Sequence, residues 1–361
     1  MVFFNKSITY IISIFIILAC TDRVTGRRFG LGKAMEEGFL TLGPLAVVML
    51  GMISIAPVIA QYLSPAITPI LIKIGADPSL FISIFVASDC GGALLAKNVC
   101  ISSEAGLFNG LIIGSTMGAT LGVIPIILSS TKVEIRKYVI IGLLCGISTI
   151  PIGALAAGIT AGFSTYMLLS NLAPISLVSV IIIFSLTLFQ KSAIFVMNAI
   201  GWLLMLVSTL GLALSSLQYL TGIVVIPGMA SIEDGFVILG QIAVVLAGTF
   251  PFLYAIKIIL KNPLLKLSTQ LDLNEISLVG LITTLANFFP TINMLNRMDH
   301  KGIIFNTAFA VSAGYVFGDF LGFTFAFEKS MVLPLIIGKL TGGIFALLLS
   351  VFLSNRINFS S

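Results

Sequence analysis

Apolar residues along this chain come in long runs, separated at intervals by short polar or basic stretches. Runs of about 20 apolar residues occupy about 7–21, 40–63, 105–129, 138–162, 165–189, 195–217, 236–260, 302–327 and 331–353. That length lets a helix cross about 30 Å of hydrocarbon, where only a helix or a closed barrel satisfies its own backbone. Two further apolar segments, 79–99 and 277–297, are interrupted at their centres by SDCGG and ANFFP. Each arm is about ten residues, or about 15 Å of helix, and reaches only the bilayer midplane. The pattern therefore predicts an all-α polytopic membrane protein with about nine transmembrane helices plus two re-entrant broken-helix hairpins.

The same pattern occurs twice. EEGFLTLGPLAVVMLG at 36–51 returns as EDGFVILGQIAVVLAG at 233–248, with nine of sixteen positions identical at an offset of 197. Phe108-Asn109 returns as Phe305-Asn306, GATLG at 118–122 as GDFLG at 318–322, and IIGLLCG at 140–146 as IIGKLTG at 336–342. The expected organisation is a first transmembrane repeat at 1–163, a linking helix at 164–193 and a second repeat at 194–361.

Charge sets the orientation. Of the 19 Lys and Arg residues, fourteen fall in loops on one side when the N-terminus is placed outside, four fall on the other side, and Lys339 lies within a span. The positive-inside rule then puts the C-terminus in the cytoplasm. Five crossings precede the second repeat, so the two repeats are expected to have inverted topology. Paired broken helices in inverted repeats are the architecture of secondary transporters, with the substrate near the midplane.

Composition narrows the class further. The chain is 58% hydrophobic and 9% charged, with a mean hydropathy of +1.15; soluble domains carry about 25% charged residues. The net charge of +5 is spread over loops rather than gathered in a patch, so it reads as orientation and lipid-headgroup charge, not nucleic-acid binding. Four cysteines without CxxC spacing and a single histidine, His300, in the loop MDHKG give no metal site. No cofactor is implied. FIILAC at 15–20 has the look of a lipoprotein cleavage site, but cleavage there would delete the partner of the span at 195–217.

The candidate chemistry lies at the interruptions. Asp89 precedes the first break and aligns with Asn287 before the second. A carboxylate in hydrocarbon costs at least about 2.5–3.5 kcal/mol, so a functional role is the first reading and capping of hairpin amides the second. Gly91 and Gly92 permit the tight turn and leave backbone groups open to a ligand. Asp319 is a second carboxylate in a span, and helical spacing places Ser312, Tyr315, Asp319 and Phe323 on one face. A carboxylate, a hydroxyl and two rings suit a small organic cation; ordinary core packing is the alternative for the rings. Gly114, Gly118 and Gly122, with Gly314, Gly318 and Gly322, read as ladders for close helix packing. Glu36, Glu37, Glu233 and Asp234 read as acids at helix N-termini.

EEGFLTLGPLAVVMLGMISIAPV, GADPSLFISIFVASDCGGALLAKN, LVGLITTLANFFP, FNTAFAVSAGYVFGDFLGF and LPLIIGKLTGG together resemble the bacterial ethanolamine permease family, EutH. The resemblance spans nearly the whole chain. It implies a transporter, not an enzyme, taking up ethanolamine across the bacterial cytoplasmic membrane, with membrane lipids as surroundings. The chain has Phe320 where the resemblance implies a histidine, which argues against a histidine relay there. The loop around 218–232 is also shorter than the resemblance implies. Facilitated diffusion, proton symport and sodium symport all suit these residues. A core sliding against a fixed scaffold points to a homodimer. A same-architecture carrier for another small cation or amino acid is the nearest rival; a channel or an intramembrane aspartyl protease fits less well.

Overall fold

The computed structural model describes residues 2–271 and 273–354, apart from the side chains of 2–6 and 260–271. Arg356, and the side chains of Lys6, Lys261 and Lys266, lie outside the described residues. Every regular element among them is a helix. Eight helices or joined helix runs are long and apolar enough to cross a membrane, and this is a multi-pass membrane protein.

The first half opens with α1 (Val2–Val24), α2 (Leu31–Leu40) and α3 (Leu42–Lys73). The interrupted segment follows as α4 (Ser79–Phe85), a turn at Ser88–Gly92 and α5 (Ala93–Val99). Next comes a span built from α6 (Ser103–Leu107), a π-helical run (Phe108–Gly118) and α7 (Ala119–Ser130), then α8 (Arg136–Ala161). The helix α9 (Thr165–Leu188) leads to the second half: α10 (Gln190–Thr221), α11 (Ile232–Leu271), α12 (Glu275–Ala286), α13 (Phe288–Leu295), α14 (His300–Ala313), α15 (Asp319–Phe327) and α16 (Val332–Ser354).

The halves are interlaced. α1 packs on α11, and α10 packs on α3, so the opening helix of each half lies against the long helix of the other. The α3–α10 crossing is backbone to backbone, with Gly51 against the Ser208 carbonyl and Gly211 against that of Gly51. Small residues permit such approach, and dispersion between close backbones replaces the hydrophobic drive that lipid cannot supply. α8, α14 and α16 form a second tight group, where Gly153 lies against Gly338 and Gly342.

Both interrupted segments are hairpins whose feet are tied together. In the first, Asp77 Oδ1 accepts from the Ser79 amide (2.9 Å) and hydroxyl (2.6 Å), and Oδ2 accepts from the Ile101 and Ser102 amides (both 3.0 Å). Asn109 Nδ2 donates to Ser79 Oγ at 3.0 Å. In the second, Asn274 Oδ1 accepts from the Ser277 amide and hydroxyl, and Asp299 Oδ1 accepts from the Asn274 amide (3.0 Å) and Ser277 Oγ (2.7 Å). Asn306 Nδ2 donates to the Ser277 carbonyl at 2.8 Å. At the offset of 197, Asp77 corresponds to Asn274, Ser102 to Asp299 and Asn109 to Asn306. The clasp is the same, with its carboxylate moved from the entering foot to the leaving one.

Three expectations are corrected. The segment 302–327 is not one helix: it breaks at Gly314–Gly318, leaving α14 with 14 residues and α15 with nine. Glu36 and Glu37 lie inside α2 rather than at its start; Glu36 pairs with Arg23 (3.1 Å) and Arg27 (2.7 Å) across the α1–α2 link. Glu233 and Asp234 do stand in the first turn of α11. His300 is the first residue of α14, not a loop residue, and its ring stacks on Tyr138 at 4.1 Å.

Asp77→Ala would strand four donors at the foot of the first hairpin. The expected loss is on the order of 3 kcal/mol, read as a lowered melting temperature of the detergent-purified protein, with Asp77→Asn losing less.

Candidate functional site

The first hairpin turns because its sequence supplies small residues in succession. After α4 the chain extends through Val86 and Ala87, and the Cys90 and Gly92 amides both donate to the Ala87 carbonyl (3.1 and 3.0 Å). Gly91 takes φ +89°, a conformation side chains disfavour, and packs against Met52 of α3. Gly92 faces the carbonyls of Val86 and Ala87 with no room for a Cβ. Both glycines thus serve turn geometry and packing. Gly114 and Gly118 seat this hairpin, facing Ser88 and the Ser83 and Val86 carbonyls.

Within the turn, Asp89 is 6% exposed, and its Oδ1 has no hydrogen-bond partner among the described residues. The neighbouring Ser88 Oγ is also buried without one.

The second hairpin turns at Asn287, which is extended (φ −156°, ψ 126°) and caps α13 by accepting from the Phe289 amide at 2.9 Å. Thr284 Oγ1 donates to Thr291 Oγ1 at 3.0 Å, which in turn donates to the Gly280 carbonyl at 3.2 Å, holding the arms together. The tip of α12 then meets the break between α14 and α15. The Tyr315 amide donates to the Thr284 carbonyl (2.9 Å) and the Phe317 amide to the Leu285 carbonyl (2.8 Å). Tyr315 is held at φ +57°, an uncommon value for a non-glycine residue and one found where surrounding structure over-determines it. Gly318 lies directly against the Ala286 carbonyl.

This break dissolves the helical face expected of 312–323. Ser312, 1% exposed, precedes it and points at Gly342 of α16, its Oγ without a partner among the described residues. Asp319 follows it, in the first turn of α15. Phe323 is in the core, stacked on Phe327 at 5.4 Å. Tyr315 stands between Phe289 and Phe320, with ring centroids 6.2 and 5.8 Å away.

α15 packs against the Ser88–Gly92 turn. Asp319 and Asp89 therefore come within electrostatic range of each other, with Tyr315 and Cys90 beside them. The structure gathers Asp89, Gly91, Gly92, Asp319 and Tyr315 into one region. Asn287 stands between Ala286, whose carbonyl lies against Gly318, and Phe288, which lines the crevice together with Tyr315.

A residue absent from the expected set completes it. Lys339, in α16, is 1% exposed; its Nζ donates to the Ser115 carbonyl (2.6 Å), lies 4.5 Å over the Phe320 ring and is within electrostatic range of Asp89. The signal was a lysine inside an apolar span, which by its solvation cost alone is a functional candidate. Beside this cluster a crevice of about 350 Å³, part of it open to the outside, is lined by Ser115, Thr120, Leu143, Phe288, Tyr315 and Phe320 among others. No group of three or more His, Cys, Asp or Glu among the described residues could hold a metal ion.

Residues 4–353 match the family described as "Ethanolamine utilisation protein, EutH". The chain belongs to the EutH family. A protein of Listeria monocytogenes serotype 1/2a (strain 10403S), named "Probable ethanolamine permease EutH", is 43% identical over 354 residues, covering 98% of this chain and 95% of its own length. The protein of Escherichia coli (strain K12) with the same name is 35% identical over 382 residues, covering 95% and 94%. "Uncharacterized protein YxeR" of Bacillus subtilis (strain 168) is 39% identical over 343 residues, covering 95% and 93%. No solved structure matches the chain. For this EutH-family chain the gathered carboxylates, lysine and rings form the candidate site.

Gly318→Ala would drive a Cβ into the Ala286 carbonyl and part the break from the hairpin. Overpacking of this kind costs on the order of 2 kcal/mol, to be read as a lower melting temperature and a lower yield of folded protein in detergent.

Proposed function

We propose that this protein is a permease that takes up ethanolamine, bound as its protonated cation between Asp89 and Asp319. The observation that carries the reading is a charge count at the two chain breaks. Asp89 and Asp319, with Lys339 within electrostatic range of Asp89, sum to one net negative charge when all three are ionised. One small monovalent cation balances that sum, and an unbalanced charge in a dry site is costly. Names of relatives in Listeria monocytogenes and Escherichia coli support the same substrate. A permease of this kind needs no catalytic residues.

In this reading the ammonium lies between the carboxylates and against the rings of Tyr315 and Phe320, drawn to their π-faces. The unpartnered Ser88 hydroxyl in the same turn is available to the substrate hydroxyl. Residues 1–163 and 194–361 are two repeats of inverted topology joined by the helix within 164–193. Their hairpins re-enter the membrane from opposite sides, and the N-terminus is outside, the C-terminus cytoplasmic. The protein resides in the bacterial cytoplasmic membrane. α1, α3, α10 and α11 form a scaffold, against which the hairpins and the spans at 103–130 and 300–327 move to alternate access. The scaffold pairs across a homodimer.

Uptake of labelled ethanolamine into proteoliposomes is expected to saturate for the wild type. In Asp319→Asn it should fall at least about a hundredfold, the size of losing a desolvated ionic contact of about 3 kcal/mol. Uptake at the wild-type rate by well-folded Asp319→Asn would refute the assignment. Saturable uptake of other small ammonium ions without competition from ethanolamine would move the substrate to that class. An imposed proton or sodium gradient in the same vesicles reads the coupling directly.

A further inference from the structure

Among the described residues, Lys339 is the only Lys or Arg that is buried. What surrounds its ammonium is a carbonyl oxygen of Ser115 at 2.6 Å, the face of Phe320 at 4.5 Å and the field of Asp89. An oxygen acceptor, an aromatic face and a carboxylate are what a primary ammonium ion needs in place of water. Yet the charge is not locked. No ion pair joins Lys339 to Asp89, so the two attract without touching. Asp89 Oδ1 is left without a partner, as a carboxylate held for a second cation would be.

The repeat sharpens the contrast. IIGKLTG aligns Lys339 with Leu143 of IIGLLCG, and GDFLG aligns Asp319-Phe320 with Ala119-Thr120 of GATLG. Leu143, Ala119 and Thr120 all line the crevice. The crevice thus borders the uncharged counterparts of Asp319 and Lys339. Ser115 and Phe320, which hold the ammonium, also belong to the crevice wall, so the two places share a boundary.

We infer that Lys339 is a tethered surrogate for the substrate, its Nζ occupying the ammonium subsite in this conformation until an incoming small primary ammonium ion displaces it. The inference rests on the proposed ethanolamine reading and adds a regulation to that site. Displacement moves Nζ off the subsite but not out of the cluster, so the local sum of charge passes from one net negative to zero once the substrate is bound. Lys339 is therefore a competitor built into the chain, and the apparent affinity for substrate is reduced by the fraction of time that it occupies the subsite.

Equilibrium binding of labelled ethanolamine and of methylammonium to detergent-purified protein tests this. Lys339→Met keeps the apolar stem and removes the charge, so the apparent dissociation constant for both amines is expected to fall about tenfold or more. Lys339→Arg keeps the charge, and its binding should be no tighter than that of the wild type. If Lys339→Met does not fold, as judged by its melting curve, Lys339→Gln takes its place, with a donor for Ser115 and no charge. Unchanged or weaker amine binding by the folded neutral variant would overturn the inference and leave Lys339 as a support of the site. Failure of wild-type vesicles to take up ethanolamine would instead overturn the substrate reading. Tighter methylammonium binding by the neutral variant would still establish the subsite.

Discussion

A backbone amide or carbonyl in hydrocarbon has no water to turn to, so an interrupted helix in a membrane needs a partner for every group that it frees. In this protein two interruptions answer each other. The end of α12 offers the Thr284 and Leu285 carbonyls, and the break between α14 and α15 offers the Tyr315 and Phe317 amides. That pair of hydrogen bonds fixes Tyr315 in its left-handed conformation and sets where α15 begins. The start of α15 sets where Asp319 stands. The first hairpin solves the same problem internally, by sending two amides to the Ala87 carbonyl. It then rests its tip on the glycines of the π-helical run. The location of both carboxylates is therefore a consequence of backbone satisfaction.

The hairpins can be stable at such short length because their feet are clasped. An isolated helix of seven or eight residues is marginal even in favourable sequence. Here Asp77 ties residues 79, 101 and 102, and Asp299 ties residues 274, 277 and 302. The loop-closure cost is met at the base by charge-assisted bonds, and the tip needs only to be small. The exchange of carboxylate and neutral partner between the halves leaves this chemistry unchanged.

The centre shows the opposite behaviour. There the halves have diverged in charge: Asp319 and Lys339 in the second stand opposite Ala119 and Leu143 in the first, while Asp89 in the first stands opposite Asn287 in the second. Folding brings the charged members to one region, and Ala119 and Leu143 line a crevice beside it. A duplicated frame thus carries a single polar centre. In the proposed reading, net charge at that centre, rather than any one hydrogen bond, selects an ionic ligand of one sign.

The sequence alone determined the class and most of the long apolar helices, because hydropathy over 20 residues is a local property, and a recurring motif such as EEGFLTLG and EDGFVILG carries the expectation of two repeats. It also marked Asp89 and Asp319, since a carboxylate in an oily run stands out wherever it folds. It misplaced Ser312 and Phe323 relative to Asp319, because helical spacing assumes an unbroken helix and nothing within VSAGYVFGDF states that its amides will bond to residues 284 and 285. Lys339 was visible as a charge in a span, but its meaning required knowing that Ser115 and Phe320, 224 and 19 positions away, would surround it. Those relations depend on which groups the tertiary structure leaves unsatisfied at each break, and long-range satisfaction is decided only when the elements pack.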